Sequence, residues 1–205
     1  MVRSYDMRRR SLSAEATRQG IIDAAHRLLN RPDGGSLALQ EIAEAAGVSR
    51  ATIYNRIGSR RALLTAVFED QGRLIEFDRV LRAMQLDDPS QAVLATVRES
   101  CRAWSIMPVA IRRTLALAVM DAEVGELVET FERYRRVEVR GLVERASSSG
   151  AIREGIDVGT ATGTLGLLTS FPAFDHLRLE HSVADATRLL VRMTAASLDI
   201  HLTRE

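Results

Sequence analysis

The sequence predicts an all-α protein, and three observations lead to this fold class. Apolar residues recur three and four positions apart along most of the chain, which is the spacing of one face of a helix. No stretch alternates apolar and polar residues as a half-buried strand would. The breaks between the periodic stretches are rich in Gly, Pro, Asp and Ser, which favour turns. We therefore expect about nine helices and no sheet.

The N-terminal part predicts a short arm, three short helices and one long helix. Residues 1–11 are polar and Arg-rich, which is typical of a disordered basic arm. The four helices that follow are expected at about 13–29, 39–46, 49–57 and 59–81. Gly58 is expected to end the third helix, and Ser59 to cap the fourth.

The remainder predicts five more helices. They are expected at about 91–104, 108–120, 123–148, 157–177 and 182–202. Pro172 lies inside the helix expected at 157–177, the eighth of the chain, and is expected to kink it. Residues 158–174 are uncharged, but they contain three Gly and a Pro. We therefore interpret them as a buried helix and not as a membrane span.

Charge is distributed unevenly along the chain. All 28 basic side chains are Arg, and the net charge of the whole chain is +1. Residues 1–61 carry eleven Arg against six acidic residues, whereas residues 62–205 carry 17 Arg against 21. A basic head on a mildly acidic body suggests that the head meets a polyanion.

The segment around residues 47–57 has the pattern of a helix-turn-helix. Gly47 follows an apolar helical stretch and can adopt the positive φ that a tight turn needs. Ser49 can cap the next helix by accepting a backbone N–H hydrogen bond. In such a motif the second helix enters the major groove of DNA, so the sequence predicts a DNA-binding protein.

These motifs resemble the tetracycline-repressor (TetR) family of bacterial transcription regulators. The resemblance covers about residues 21–68. It rests on Ile42-Ala43, Ala46-Gly47-Val48-Ser49, Thr52-Ile53-Tyr54 and Ser59-Arg60-Arg61-Ala62-Leu63-Leu64. Beyond these residues the body resembles the family in the number and lengths of its helices. Gly150-Ala151-Ile152-Arg153 and Asp157 also stand where the family often has such residues, before the eighth helix.

Three positions depart from the family pattern. Ala38 stands where the family usually has a capping Ser or Thr, although Glu41 keeps half of a capping box and Ser36 is an alternative cap. Ile57 replaces an aromatic residue, and Arg60 replaces a Lys while keeping its charge. With Ala at position 38, one phosphate contact that the resemblance implies is in question, whereas the expected fold is unchanged.

The resemblance implies a homodimer with two domains in each subunit. Residues 12–60 would form the helix-turn-helix DNA-binding domain, and residues 61–205 the helical ligand-binding and dimerisation domain. A small-molecule inducer in the body would change the spacing of the two heads and release a palindromic operator. The resemblance also implies a bacterial protein of the cytoplasm and nucleoid, and no signal peptide is expected at its start.

One exposed face of the third predicted helix carries the candidate DNA contacts. Ile53 and Ile57 should face the core, which leaves the opposite face to the candidates for base edges: Arg50, Ala51, Tyr54 and Asn55. By its match to the family, Gln40 is a further base-edge candidate. The same match makes Thr52, Arg56 and Arg60 candidates for phosphate contacts. Arg8-Arg9-Arg10 either lie in a minor groove or form a solubilising tail.

In the body, small residues predict a dimer surface and large ones a ligand pocket. The expected dimer residues are Gly159, Gly163, Gly166, Leu189, Leu190 and Met193. The candidate pocket wall for a mostly apolar effector consists of Trp104, Met107, Phe131, Tyr134, Phe171 and Phe174. Ordinary core packing is an alternative role for each of these large residues.

Catalytic and metal-site patterns are absent from the sequence. The four His form no HxxxH pair, and the chain has no GxGxxG, P-loop or GxSxG motif. We expect no cofactor, no metal and an inert, buried Cys101. Two alternatives to a ligand-responsive repressor remain: a DNA-binding dimer controlled by a partner protein, and a helical-bundle enzyme.

Overall fold

The computed structural model describes residues 2–31 and 36–200, with side chains from residue 13 onward. Within this part the chain forms eleven α-helices and no strand, so the all-α prediction is confirmed. The helices are α1 (Val2–Leu29), α2 (Leu39–Ala46), α3 (Arg50–Ile57), α4 (Arg60–Leu74), α5 (Phe77–Met84), α6 (Pro89–Ile106), α7 (Pro108–Met120), α8 (Ala122–Ser148), α9 (Val158–Leu168), α10 (Phe171–Leu177) and α11 (Val183–Leu198).

The predicted long fourth helix is in fact two helices, α4 and α5. The break lies at Glu76, which adopts a left-handed conformation with φ 51° and ψ 49°. Arg102 of α6 stabilises the break by donating hydrogen bonds of 3.1 Å to the carbonyl oxygens of both Ile75 and Glu76. No Gly or Pro marks this position, so the spacing of the apolar residues predicts one continuous helix across it.

The predicted eighth helix is also two helices, α9 and α10, and not one kinked helix. Ser170 caps α10 by accepting the backbone N–H of Ala173 at 3.3 Å. Pro172 lies in the first turn of α10, where its missing N–H costs no intrahelical hydrogen bond. The two breaks together account for eleven helices instead of nine.

The ends of the chain also differ from the prediction. Helix α1 begins at Val2, so it includes most of the residues predicted as a disordered arm. No Gly or Pro interrupts this helix before Gly20. The side chains of Arg8-Arg9-Arg10 lie outside the described residues. At the other end α11 ends at Leu198, because Asp199 is left-handed with φ 56°; the predicted end at Leu202 lies outside the described part.

The chain packs as two compact units. The first comprises residues 1–71 and 112–128, and the second comprises residues 72–111 and 129–205. Both α7 and α8 contribute residues to each unit. This division follows packing and not function, so the domain boundary at residue 60 stays a prediction.

The core of the first unit joins α1, α2 and α3 with the start of α4. Its fully buried side chains lie at the helical spacing that predicted these elements. They include Ile21, Leu29, Ile42, Ile53, Leu63 and Leu64. A buried polar pair joins α1 to α4 in this core, with 3.0 Å between His26 Nε2 and Asp70 Oδ2.

Helix α6 is central to the second unit and packs against α5, α10 and α11. Asp88 caps α6 by accepting the N–H groups of Ser90 and Gln91 at 2.8 and 3.2 Å. Pro89 stands in its first turn, as expected for a helix start. The buried side of α6 carries Val93, Val97, Cys101 and Trp104.

Cys101 should react with a thiol reagent far more slowly in the folded protein than after unfolding. Its side chain is 1% exposed, and burial raises the pKa of the thiol to about 11. Since the thiolate is the nucleophile, the reactive fraction at pH 8 is about 100-fold below that of a free thiol. Reaction with a disulfide reagent, with and without denaturant, measures this, and equal rates in the two conditions would contradict it.

The residues that the structure describes include neither a single membrane-spanning helix nor a metal-ligand cluster. No single helix among them is both long and apolar enough to cross a membrane, although α6 and α7 reach that length and hydropathy together across an 88° bend. The same residues contain no group of three or more His, Cys, Asp or Glu side chains placed to hold a metal ion.

Candidate nucleic-acid interface

Helices α2 and α3 and the turn between them form the predicted helix-turn-helix. Gly47 ends α2 in the left-handed region with φ 67°, which a residue with a Cβ rarely adopts. The N–H of Val48 donates to the carbonyl of Ala43 at 3.0 Å and closes the turn. Ser49 then caps α3 by accepting the N–H of Thr52 at 3.1 Å. Both turn residues therefore act as the sequence predicts.

The outward face of α3 carries the predicted base-contact residues. Ile53 is 1% exposed and fixes the inward face, while Ile57 is half-buried. The residues exposed on the other side are Arg50, Ala51, Tyr54 and Asn55. Four neighbouring exposed side chains of this kind can reach donors, acceptors and methyl groups of base edges. Their contact with DNA stays a prediction.

Two predicted phosphate contacts lie on the same helix. Thr52 is half-buried, and its hydroxyl lies 2.9 Å from the Ser49 hydroxyl within the cap. Arg56 is exposed in the last turn of α3. A hydroxyl and a guanidinium at these places can both donate to phosphate oxygens.

The start of α2 lacks a capping side chain at Ala38, as its sequence implies. Glu41 instead accepts hydrogen bonds from the Ser36 hydroxyl at 2.8 Å and from the Ser36 N–H at 3.1 Å. The Ser36 hydroxyl also accepts the Ala38 N–H at 3.1 Å. Exposed Gln40 donates to Glu44 at 2.6 Å. A Ser36–Glu41 pair therefore orders the entry to α2 in place of the usual cap.

Arg60 stands in the first turn of α4, which Ser59 caps by accepting the Ala62 N–H at 3.0 Å. Its guanidinium is half-buried and donates to the carboxylates of Asp121 and Glu123, each at 2.5 Å. Hydrogen bonding to Asp121 is the main cause that raises the pKa of Arg60. Sequence reasoning missed both acidic partners, because they follow Arg60 by more than sixty residues.

A cleft of about 360 Å³ in the first unit connects three of the predicted DNA contacts. Gln40, Arg50 and Arg60 all line it. The cleft is open to solvent, and its other lining residues are Ser36, Leu37, Ala38, Leu39, Leu117 and Asp121. The fold thus brings side chains from α2, α3 and α4 to one surface, as a DNA-reading head requires.

Three of the predicted pocket residues, Trp104, Phe131 and Phe171, belong to one aromatic cluster in the second unit. Trp104 contacts Phe171 with ring centroids 6.1 Å apart, and Phe77 joins Trp104 to Phe131 at 6.3 and 5.2 Å. The sequence reading missed Phe77, which begins α5 after the unmarked break. Of the remaining candidates, Phe174 is 1% exposed, Met107 is half-buried and Tyr134 is 47% exposed. Their role as a pocket wall stays a prediction.

The predicted dimer residues divide into outward and inward groups. Gly163 and Met193 are exposed, and Gly159 and Gly166 join Gly163 in lining a cleft between α8 and α9. Apart from the backbone of α9 itself, a Cβ added at Gly163 or Gly166 would meet no atom of the described residues within 4 Å. Leu189 is half-buried, whereas Leu190 is 1% exposed and belongs to the core of its own unit.

A known family model matches the N-terminal part of the chain. Residues 21–67 match the model of bacterial regulatory proteins of the tetR family. The matched segment contains the buried part of α1, all of α2 and α3, and the first turns of α4.

Two bacterial regulators are similar to this chain in sequence. The uncharacterized HTH-type transcriptional regulator Rv1255c of Mycobacterium tuberculosis (strain ATCC 25618 / H37Rv) is 35% identical over 95 residues, which are 46% of this chain and 45% of that protein. The uncharacterized HTH-type transcriptional regulator YdeS of Bacillus subtilis (strain 168) is 28% identical over 70% of this chain and 71% of that protein. The chain thus spans under half the length of the first relative.

The fold is similar to that of AibR solved with isovaleryl coenzyme A and operator DNA. The TM-score is 0.64, with 19% identity over 86% of this chain and 97% of that one. At this sequence identity the similarity shows a common fold and nothing more.

Proposed function

Because the chain belongs to the tetR family of bacterial regulatory proteins, we propose that it regulates transcription by binding a palindromic operator as a homodimer. The exposed face of α3 carries this proposal. Arg50, Tyr54 and Asn55 stand together on a helix that a capped turn and buried Ile53 hold in place. Base edges in a major groove fit this set of donors and acceptors.

The homodimer is proposed from the glycines of α9. Glycine in a helix costs roughly 0.5–1 kcal/mol relative to alanine, and a Cβ at Gly163 or Gly166 would clash with none of the described residues. Packing against the described part of the chain therefore does not explain these two glycines, whereas the close approach of a second copy does. A homodimer also gives two α3 helices the two-fold symmetry of a palindromic operator.

A small-molecule effector is proposed for the second unit. AibR was solved with isovaleryl coenzyme A and operator DNA, and a further protein of this fold, SmeT, was solved with triclosan. In this chain an apolar effector would be held by the aromatic residues around Trp104, and its binding would release the operator. Control by a partner protein is the alternative. A small molecule that lowers the affinity for DNA would favour the effector over the partner protein.

Selection of binding sites from random duplex DNA tests the proposal. The purified chain is incubated with the library at about 150 mM salt, and bound DNA is amplified and sequenced. An enriched palindrome with half-sites about one helical turn apart is expected. Recovery of unselected sequences, with affinity that falls steeply with salt, would mean a nonspecific binder. Recovery of no DNA would contradict the proposal.

A further inference from the structure

The contacts of Arg60 conflict with its proposed role in holding an operator phosphate. Both terminal nitrogens of its guanidinium are already used: Nη2 donates to Asp121 Oδ2 at 2.5 Å, and Nη1 donates to Glu123 Oε2 at 2.5 Å. Nη1 also reaches Asp121 Oδ1 at 3.3 Å, and Nη2 reaches the carbonyl of Leu37 at 3.4 Å. A phosphate cannot take these donors unless a carboxylate leaves.

The carboxylate pair, Asp121 and Glu123, is held where α7 passes into α8. Asp121 separates the two helices, and its Oδ1 accepts the N–H groups of Glu123 and Val124 at 3.2 and 3.3 Å. Gly125 lets the helices approach closely, because a Cβ there would lie 2.9 Å from the carbonyl oxygen of Ala118. The Asp121 carboxylate is therefore held in place by backbone N–H groups, and Glu123 follows it in the first turn of α8.

Charge makes the carboxylate pair a competitor of phosphate. The hydrogen bond from Arg60 is the main cause that lowers the pKa of Asp121, so this carboxyl is ionised at neutral pH. Two carboxylates around one guanidinium leave a net charge of −1 at the place where a phosphate would bind. The neighbouring Arg61 is also paired, with Glu126. Asp121 and the acidic residues in the first turns of α8 thus neutralise the basic start of α4.

Building on the proposed function, we propose that Asp121 and Glu123 compete with operator phosphate for Arg60 and so lower the affinity of the head for DNA. Arg60 and the carboxylate pair all belong to the first unit, so the competition takes place within that unit.

The decisive variant neutralises the pair without changing its shape: Asp121→Asn together with Glu123→Gln. Affinity for the selected operator is measured by fluorescence anisotropy at several salt concentrations. Tighter binding by about 2- to 10-fold is expected, since half-exposed ion pairs are of modest strength. The slope of log affinity against log salt should steepen by about 1, because one more phosphate is neutralised. Glu123→Gln alone, which leaves the Asp121 cap intact, should give part of the gain.

Two controls separate competition from a general charge effect. Glu69→Gln removes a carboxylate from exposed Glu69 of α4, for which no contact with Arg60 is found in the described part, and should change affinity little. Arg60→Ala is combined with the double substitution, and the gain should then disappear. A gain that persists without Arg60, or weaker binding by the Glu123→Gln variant, would overturn the competition. If neither the wild-type protein nor any variant selects a sequence, the proposed function itself fails.

Discussion

Replacing Trp104 with alanine is expected to lower the free energy of unfolding by about 3–5 kcal/mol. The indole is 5% exposed and packs against Phe77 and Phe171. Its Nε1 donates to the carbonyl of Thr169 at 2.9 Å, next to the break between α9 and α10. The substitution therefore removes packing and also leaves a carbonyl without its donor. Urea denaturation measures the effect. It is followed by circular dichroism and not by tryptophan fluorescence, because Trp104 is the only Trp of the chain and the variant lacks it.

Two companion variants show which interaction matters. Trp104→Phe keeps an aromatic ring but removes the donor, so its cost should be nearer that of one lost buried hydrogen bond, about 1–3 kcal/mol. Leu179→Ala changes a residue that is 74% exposed, and its cost should stay within about 0.5 kcal/mol. A loss of less than about 1 kcal/mol for Trp104→Ala would show that the aromatic cluster is not a packed core.

The second large effect is expected for Arg50→Ala in DNA recognition. Arg50 is exposed at the start of α3 and lines the cleft shared with Gln40 and Arg60. A bidentate contact to guanine is worth roughly 1–3 kcal/mol against the wrong base. The variant should therefore lose that much affinity for the selected operator and relax its preference at one base pair in each half-site.

Arg56→Ala is the matched comparison, because it removes the same charge from the same helix. Arg56 is a proposed phosphate contact, so its loss should weaken binding to selected and unselected DNA alike. Competition binding against operators substituted at every position distinguishes the two patterns. If Arg50→Ala lowers affinity uniformly and Arg56→Ala changes base preference, the proposed roles are the wrong way round.

The head could be predicted from sequence because local signals determine its helix ends. Gly47 supplies the left-handed turn and Ser49 the cap, and both act on backbone groups at most four residues away. Periodic apolar residues then place Ile53 inside and Arg50 outside. Each step depends on neighbours along the chain, so no knowledge of tertiary structure is needed.

The breaks and partners that were missed depend on distant residues. Glu76 is left-handed although nothing in its own segment favours this, and its stabilising donor, Arg102, lies 26 residues further along. The partners of Arg60 are Asp121 and Glu123, at separations of 61 and 63 residues. Spacing within one helix cannot reveal a contact that exists only after other helices have packed.

The discontinuity of the first unit bears on how DNA-binding heads can be exchanged between related regulators. A chimera that transfers only residues 1–71 would separate Arg60 and Arg61 from residues 112–128, the segment of the same unit that holds their acidic partners. The recipient would supply its own sequence at that place, which need not carry these acidic partners. The two segments therefore have to be transferred together. A substitution in one segment restricts which substitutions the other can accept.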